Sequence, residues 1–148
     1  MFILVVIFFL IDLISKVIVS NVIEVNEVIV VIKNFFSITY VRNTGAAWSI
    51  FSDFTLGLVI ISLIIIFLIV YYISKNKPKN KLEFFGYSLI LGGALGNLFD
   101  RIVYGYVIDF LDFYIFGYDY PIFNVADSFI FVGVILVIIH TWRCNDGN

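Results

Sequence analysis

Cysteine and histidine are almost absent from this chain. Cys144 is the single cysteine and His140 the single histidine among 148 residues. One cysteine excludes both an intramolecular disulfide framework and a cysteine-based metal cluster. The zinc-binding pattern His-Glu-x-x-His cannot occur either, because it needs two histidines.

Charge is also scarce. Only 14% of the residues are charged, the formal net charge is −2, and no basic stripe runs along the sequence. A nucleic-acid-binding protein would carry such a stripe, so we exclude that class of partner. Hydrophobic residues make up 62% of the chain and the mean hydropathy is +1.09, whereas soluble domains are roughly half apolar. The composition therefore indicates an integral membrane protein.

Four apolar segments are long enough to cross a bilayer, which takes about 20 residues per helix. They cover residues 1 to about 20, 56–73, 82 to about 103, and 123–139. The first is interpreted as a span, since it lacks the basic start and the small-residue cleavage site of a secretory signal peptide. No repeat or linker divides the sequence, so we expect a single membrane-embedded domain over residues 1–148.

The connections between the spans predict the topology. Residues 75–81 hold four lysines in seven positions, and short loops rich in lysine stay in the cytoplasm. Both termini are then cytoplasmic, and the loops 21–55 and 104–122 face outward. Residues 22–40 are rich in β-branched and aromatic residues, which favours short strands. We expect an integral membrane, mainly α protein with a small interfacial β region in the first outer loop, and an aromatic second loop at the membrane surface.

Ionisable groups within the spans carry the most information, because each costs roughly 2.5 to 3.5 kcal/mol at a helix centre. With the predicted topology most of them lie at outer helix ends, where Asn43, Arg42 and Asp109 of the outer loops can join them. The polar residues at the outer ends of the spans are Asp12, Lys16, Asn97, Asp100, Arg101, Asn124 and Asp127.

Some of these residues have a purely structural interpretation. Asp12 and Lys16 are four positions apart and can form an ion pair, with Lys16 extending to the interface. Asp100 and Arg101 are neighbours in the sequence and can form an ion pair that stabilises the third helix. Asp127 has no basic residue within one helical turn in sequence, and an unpaired aspartate in a membrane span is a functional candidate.

Four short motifs follow one another in the order known from one membrane enzyme family. They are Asn43-Thr44-Gly45-Ala46-Ala47-Trp48, the glycine-rich stretch 92–101 that ends in Asn97-Leu98-Phe99-Asp100-Arg101, Val107-Ile108-Asp109-Phe110, and Phe123-Asn124-Val125-Ala126-Asp127. Together they resemble the motif set of lipoprotein signal peptidase, also called signal peptidase II. The resemblance extends over essentially the whole chain.

The resemblance implies an aspartic endopeptidase of the bacterial cytoplasmic (inner) membrane with its active site at the outer face. Its substrates would be prolipoproteins that carry a diacylglyceryl cysteine, cut just before that cysteine, and membrane lipids would be its other partners. Asp109 and Asp127 match the catalytic aspartates. No cofactor and no metal are expected. The residues that would support the site or bind substrate are Asp12, Lys16, Asn43, Asn97, Asp100, Arg101 and Asn124.

The chemistry agrees with two carboxylates. His140 and Cys144 lie at the inner end of the last span, so the outer face has no Ser/His or Cys/His arrangement. Two close aspartates share one proton, so one can act as a base on water while the other donates. Which aspartate holds the proton stays open, because the pair titrates as a unit. Asp112 lies in the same loop as Asp109, and the motif favours Asp109. The apolar neighbours of Asp109 add modest support, since Leu111 and Phe113 flank Asp112 as well.

Three other classes of protein can also carry polar residues within membrane spans. A proton-coupled transporter would place its polar residues near the midplane, often between related halves, whereas here they lie at one end and no repeat is visible. A lipid-modifying transferase could use the aspartates to hold Mg²⁺, and chelators would then stop its activity. A purely structural helix bundle would tolerate Asp→Asn substitutions.

Overall fold

The computed structural model describes residues 1–45, 54–78 and 80–145. Residues 46–48 of the first motif lie outside this part of the chain. Four helices and four strands are present in the described residues: α1 Phe2–Val22, β1 Val28–Ile32, β2 Phe36–Asn43, α2 Thr55–Lys75, α3 Lys81–Val103, β3 Val107–Ile115, β4 Tyr118–Asp119 and α4 Val125–Asn145.

The predicted spans are confirmed. Each of the four helices is long and apolar enough to cross a membrane, and mean hydropathies reach 2.8 in α1 and 3.0 in α2. An uninterrupted helix satisfies all of its backbone hydrogen bonds internally, which a segment in hydrocarbon must do. Five of the eight helix ends lie one to six residues beyond the predicted apolar runs, because polar flanking residues continue the helix, whereas α4 begins two residues later than predicted.

Helix α3 is the centre of the bundle. It packs against all three other helices, and 61% of its spanning stretch is buried, compared with 22% or less in the others. Its glycines Gly92, Gly93 and Gly96 predict a small-residue face that permits close helix approach, and the structure confirms this. A Cβ at Gly92 would lie 2.6 Å from the Cβ of Phe8, and one at Gly96 would overlap the Asp12 carboxylate.

The four strands form one antiparallel sheet in the order β1-β2-β3-β4. Strands between α1 and α2 are predicted from the sequence, and the structure adds that the connection between α3 and α4 contributes two more. Strands β2 and β3 pair so that Val41 lies opposite Asp109 and Asn43 opposite Val107. This pairing holds the two loops together above the helix ends.

A short bridge then connects the sheet to α4. The backbone N–H of Leu111 donates to the carbonyl oxygen of Phe123 at 2.7 Å, and the N–H of Phe123 donates back to Leu111 at 3.1 Å. Phe123 directly precedes Asn124, at the start of α4. The bridge therefore fixes β3, which carries Asp109, beside the first turn of α4, which carries Asp127.

Candidate active site

Asp127 lies in the first turn of α4, and its carboxylate is held from two sides. Oδ2 accepts the backbone N–H of Asn124 at 3.1 Å, while the N–H of Asp127 donates to the Asn124 side chain at 3.0 Å. This reciprocal pair is a capping box, with Asn and Asp in place of the more usual Ser and Glu. Oδ1 accepts from the amide of Asn97 on α3 at 2.7 Å. The orientation of the carboxylate is thus fixed.

Asp109 lies in β3 and is only 3% exposed. Its two oxygens accept hydrogen bonds from the side-chain amides of Asn43 at 2.8 Å and Asn124 at 2.7 Å. Burial, and after it the negative charge of Asp127, raises the pKa of Asp109 to about 7. A carboxyl with this pKa can hold a proton at neutral pH.

Asn124 connects the two aspartates. Its side chain is fully buried, donates to Asp109 and accepts from the backbone of Asp127. It also contacts Asn97 at 3.0 Å. The two carboxylates are therefore bound to the same asparagine, which holds them on one side of a common site.

Asp112, the alternative to Asp109, points elsewhere. Alternate residues of a strand face opposite sides of the sheet, so residues three positions apart do so as well. Asp112 pairs across the strands with Ser37 and lines a groove with Lys33 and Asp119. Partial burial, with Asp119 nearby, raises its pKa. The structure therefore brings Asp109, and not Asp112, to Asp127.

Asp12, Lys16 and Asp100 form a buried ion cluster behind the site. The Lys16 ammonium lies 2.8 Å from Asp12 and 3.0 Å from Asp100. The predicted ion pair of Asp12 with Lys16 is present, but Lys16 is 1% exposed and does not extend to the interface. The interpretation of Asp100 and Arg101 as an ion pair that stabilises α3 is wrong. Asp100 pairs instead with Lys16 and so connects α3 to α1.

The two arginines differ in position. Arg101 reaches toward the site and donates to the carbonyl oxygens of Gly45 at 3.2 Å and Asn97 at 3.4 Å. Arg42 turns to the other side of β2, where its guanidinium packs over the rings of Tyr40 and Tyr106. The candidate site therefore includes Arg101 but not Arg42.

A cavity of about 510 Å³ opens onto the two aspartates. The side chains of Asn43, Asn97 and Arg101 also face the cavity. Its lining therefore combines hydrogen-bond donors with the two carboxylates. Sequence reasoning missed its apolar wall. The helical spacing from Asp127 could have revealed part of that wall, whereas the loop residues give no such signal. The apolar lining residues are Val107, Tyr120, Pro121, Ile122, Phe123, Ile130, Phe131 and Val134.

Known proteins with similar sequences agree on one family. The family profile described as "Signal peptidase (SPase) II" matches residues 4–143. The lipoprotein signal peptidase of Clostridium acetobutylicum is 44% identical over 131 residues, which cover 88% of this chain and 85% of that protein. The one from Staphylococcus aureus strain JH9 is 44% identical over 128 residues, covering 86% of this chain and 78% of the relative.

Solved structures agree as well. One described as a bacterial membrane enzyme at 2.3 Å resolution superposes with a TM-score of 0.91 at 39% identity, covering 99% of this chain and 90% of the other. A second, at 1.9 Å resolution, gives 0.85 at 41% identity, with coverages of 95% and 90%. The whole fold is therefore shared with membrane enzymes. Since the profile and the relatives extend over most of the sequence, this chain belongs to the signal peptidase II family.

Proposed function

We propose that this chain removes signal peptides from prolipoproteins by an aspartic mechanism, with Asp109 and Asp127 as the catalytic pair. One observation carries the proposal: both carboxylates are held by Asn124 and face the same cavity. The names of the relatives supply the substrate class, because they are lipoprotein signal peptidases.

In the proposed reaction one carboxylate is ionised and takes a proton from a water molecule. The water oxygen attacks the carbonyl carbon of the scissile peptide, while the protonated partner donates to the carbonyl oxygen. The tetrahedral intermediate then loses its C–N bond as a proton passes to the amine, so one water is consumed. The raised pKa of Asp109 favours it as the protonated partner.

The substrate is proposed to be a precursor with a diacylglyceryl cysteine, cut before that cysteine. The apolar wall of the cavity supports this. Phe131, which lies one turn along α4 from Asp127, is 67% exposed on the side of the bundle that lipid would contact. A peptide tethered by acyl chains could keep its lipid in the bilayer while its backbone meets the two aspartates.

The test is incubation of the purified protein with a diacylglyceryl-modified prolipoprotein and, in parallel, the same precursor without lipid. We expect one cut, in the modified precursor only, and mass spectrometry should place the lipidated cysteine at the new N-terminus. Equal cleavage of both precursors, or a cut elsewhere, would contradict the proposed specificity. No cleavage of either would contradict the proposed activity.

The site is proposed to face outward, away from the cytoplasm. Lys75 and Lys81 lie at the bundle end opposite Asp127, and lysine-rich short loops are retained in the cytoplasm. A reporter fused after His140 is therefore expected to stay cytoplasmic. Labelling of that reporter by a membrane-impermeant reagent added from outside would show that the orientation is reversed.

Activity is expected to fall as the pH rises through about 7 because Asp109, with its pKa of about 7, then loses its proton. The dyad needs one proton, so the basic limb of a plot of kcat against pH reports the loss of that proton. The Asp112→Asn variant is the control and should leave this limb in place. A kcat that stays constant well above neutral pH would be inconsistent with a shared proton on Asp109.

A further inference from the structure

The buried ion cluster has a second set of contacts that a helix lock does not require. Oδ1 of Asp12 accepts the backbone N–H of Ala126 at 2.9 Å, and Oδ2 of Asp100 accepts the backbone N–H of Ile108 at 3.1 Å. Ala126 directly precedes Asp127, and Ile108 directly precedes Asp109. Each acid of the cluster therefore accepts the backbone N–H of the residue that precedes one of the two proposed catalytic aspartates.

Lys16 joins these two contacts. Its ammonium has three N–H donors, and the three groups near it are Asp12 at 2.8 Å, Asp100 at 3.0 Å and the side-chain oxygen of Asn97 at 2.9 Å. Asn97 in turn donates to Asp127 at 2.7 Å. One ammonium thus fixes the groups that hold both aspartates.

Burial indicates that this arrangement serves more than stability. Asp12, Lys16 and Asp100 are each 1% exposed or less. Charges buried so completely lose their hydration, and apolar residues of similar volume often stabilise a fold as well or better. Helices α1 and α3 also approach closely through Gly92, which is packed against Phe8, so apolar packing contributes to the contact between them besides the ions.

We propose that Asp12, Lys16 and Asp100 act as one positioning unit that sets the separation of Asp109 and Asp127. The proposal rests on the proposed function, since it assigns a role in the same reaction. Asp12 fixes the α4 side of the site and Asp100 fixes the β3 side. Lys16 binds both acids and so keeps their separation constant. None of the three contacts the substrate.

The test compares Asp12→Asn and Asp100→Asn with wild-type enzyme in the cleavage assay, with kcat and KM determined per folded molecule. Each variant leaves one ammonium and one carboxylate, a neutral pair, so both are expected to fold. A misplacement of about 1 Å can lower a rate roughly 100-fold, so we expect kcat to fall by about that factor while KM changes less than about threefold. The corresponding Ala variants also remove the acceptor of the peptide N–H and should lose roughly tenfold more.

Glu83→Gln is the matched control. Glu83 and His140 form a buried contact of 3.2 Å between α3 and α4 at the opposite end of the bundle. This variant should lower the thermal stability but keep kcat within about twofold. The proposal would be overturned if Asp12→Asn and Asp100→Asn behaved in the same way, with less folded protein but unchanged turnover. Wild-type enzyme that does not cleave would overturn the proposed function and this inference together, whereas wild-type cleavage with unchanged kcat in both Asn variants would overturn this inference alone.

Discussion

Asp127→Asn is expected to lower kcat by roughly 10³-fold or more, the size of effect that general acid-base catalysis contributes. The substitution keeps the size of the side chain but removes its ability to take or give a proton. It also replaces one acceptor oxygen by an NH₂ group. Since both oxygens of Asp127 accept hydrogen bonds, from Asn97 and from the backbone of Asn124, one of these bonds is lost as well.

The lost bond makes a stability measurement necessary. Removing a helix cap costs about 1 kcal/mol, so the thermal unfolding of Asp127→Asn should be measured alongside its activity. Asp119→Asn is a matched control, because Asp119 lies in β4 and is exposed. It should retain normal turnover. Normal cleavage by folded Asp127→Asn would remove the aspartic mechanism from consideration.

Asp109→Asn and Asp112→Asn are expected to differ sharply, although both aspartates lie in β3. Asp109→Asn should lose several orders of magnitude in kcat, because the carboxyl with the raised pKa is removed from the site. Asp112→Asn should change kcat little, since Asp112 faces the groove near Asp119 and not the cavity. Both variants are assayed on the same lipid-modified precursor at the same pH.

The double variant sharpens this comparison. Residues that act as one catalytic unit have non-additive effects, so Asp109→Asn with Asp127→Asn should be about as inactive as either single variant. Two independent contributions would instead multiply. An inactive Asp112→Asn beside an active Asp109→Asn would show that the pair has been assigned in the wrong register.

Part of the site could be predicted because intramembrane charge is informative by itself. Asp127 is a candidate on its isolation alone, and the spacing within α3 predicts that Asn97 and Asp100 lie on one face near the same helix end. The partners of these groups could not be predicted. Asp100 was expected to pair with Arg101, and it pairs instead with Lys16 because Gly96 lets α1 approach α3 closely.

The sequence by itself determined the number of spans, the membrane class and the concentration of polar groups at one end, because these depend on the length of apolar runs and on the cost of placing a charge in hydrocarbon. Both are local properties of the chain. The tertiary structure decided which aspartate of β3 meets Asp127. That choice depends on the pairing of β2 with β3 and on the bridge from Leu111 to Phe123, and a shift of one residue in a strand would turn Asp109 to the other face of the sheet. Strand register is set by contacts between residues far apart in sequence, so only the folded chain fixes it.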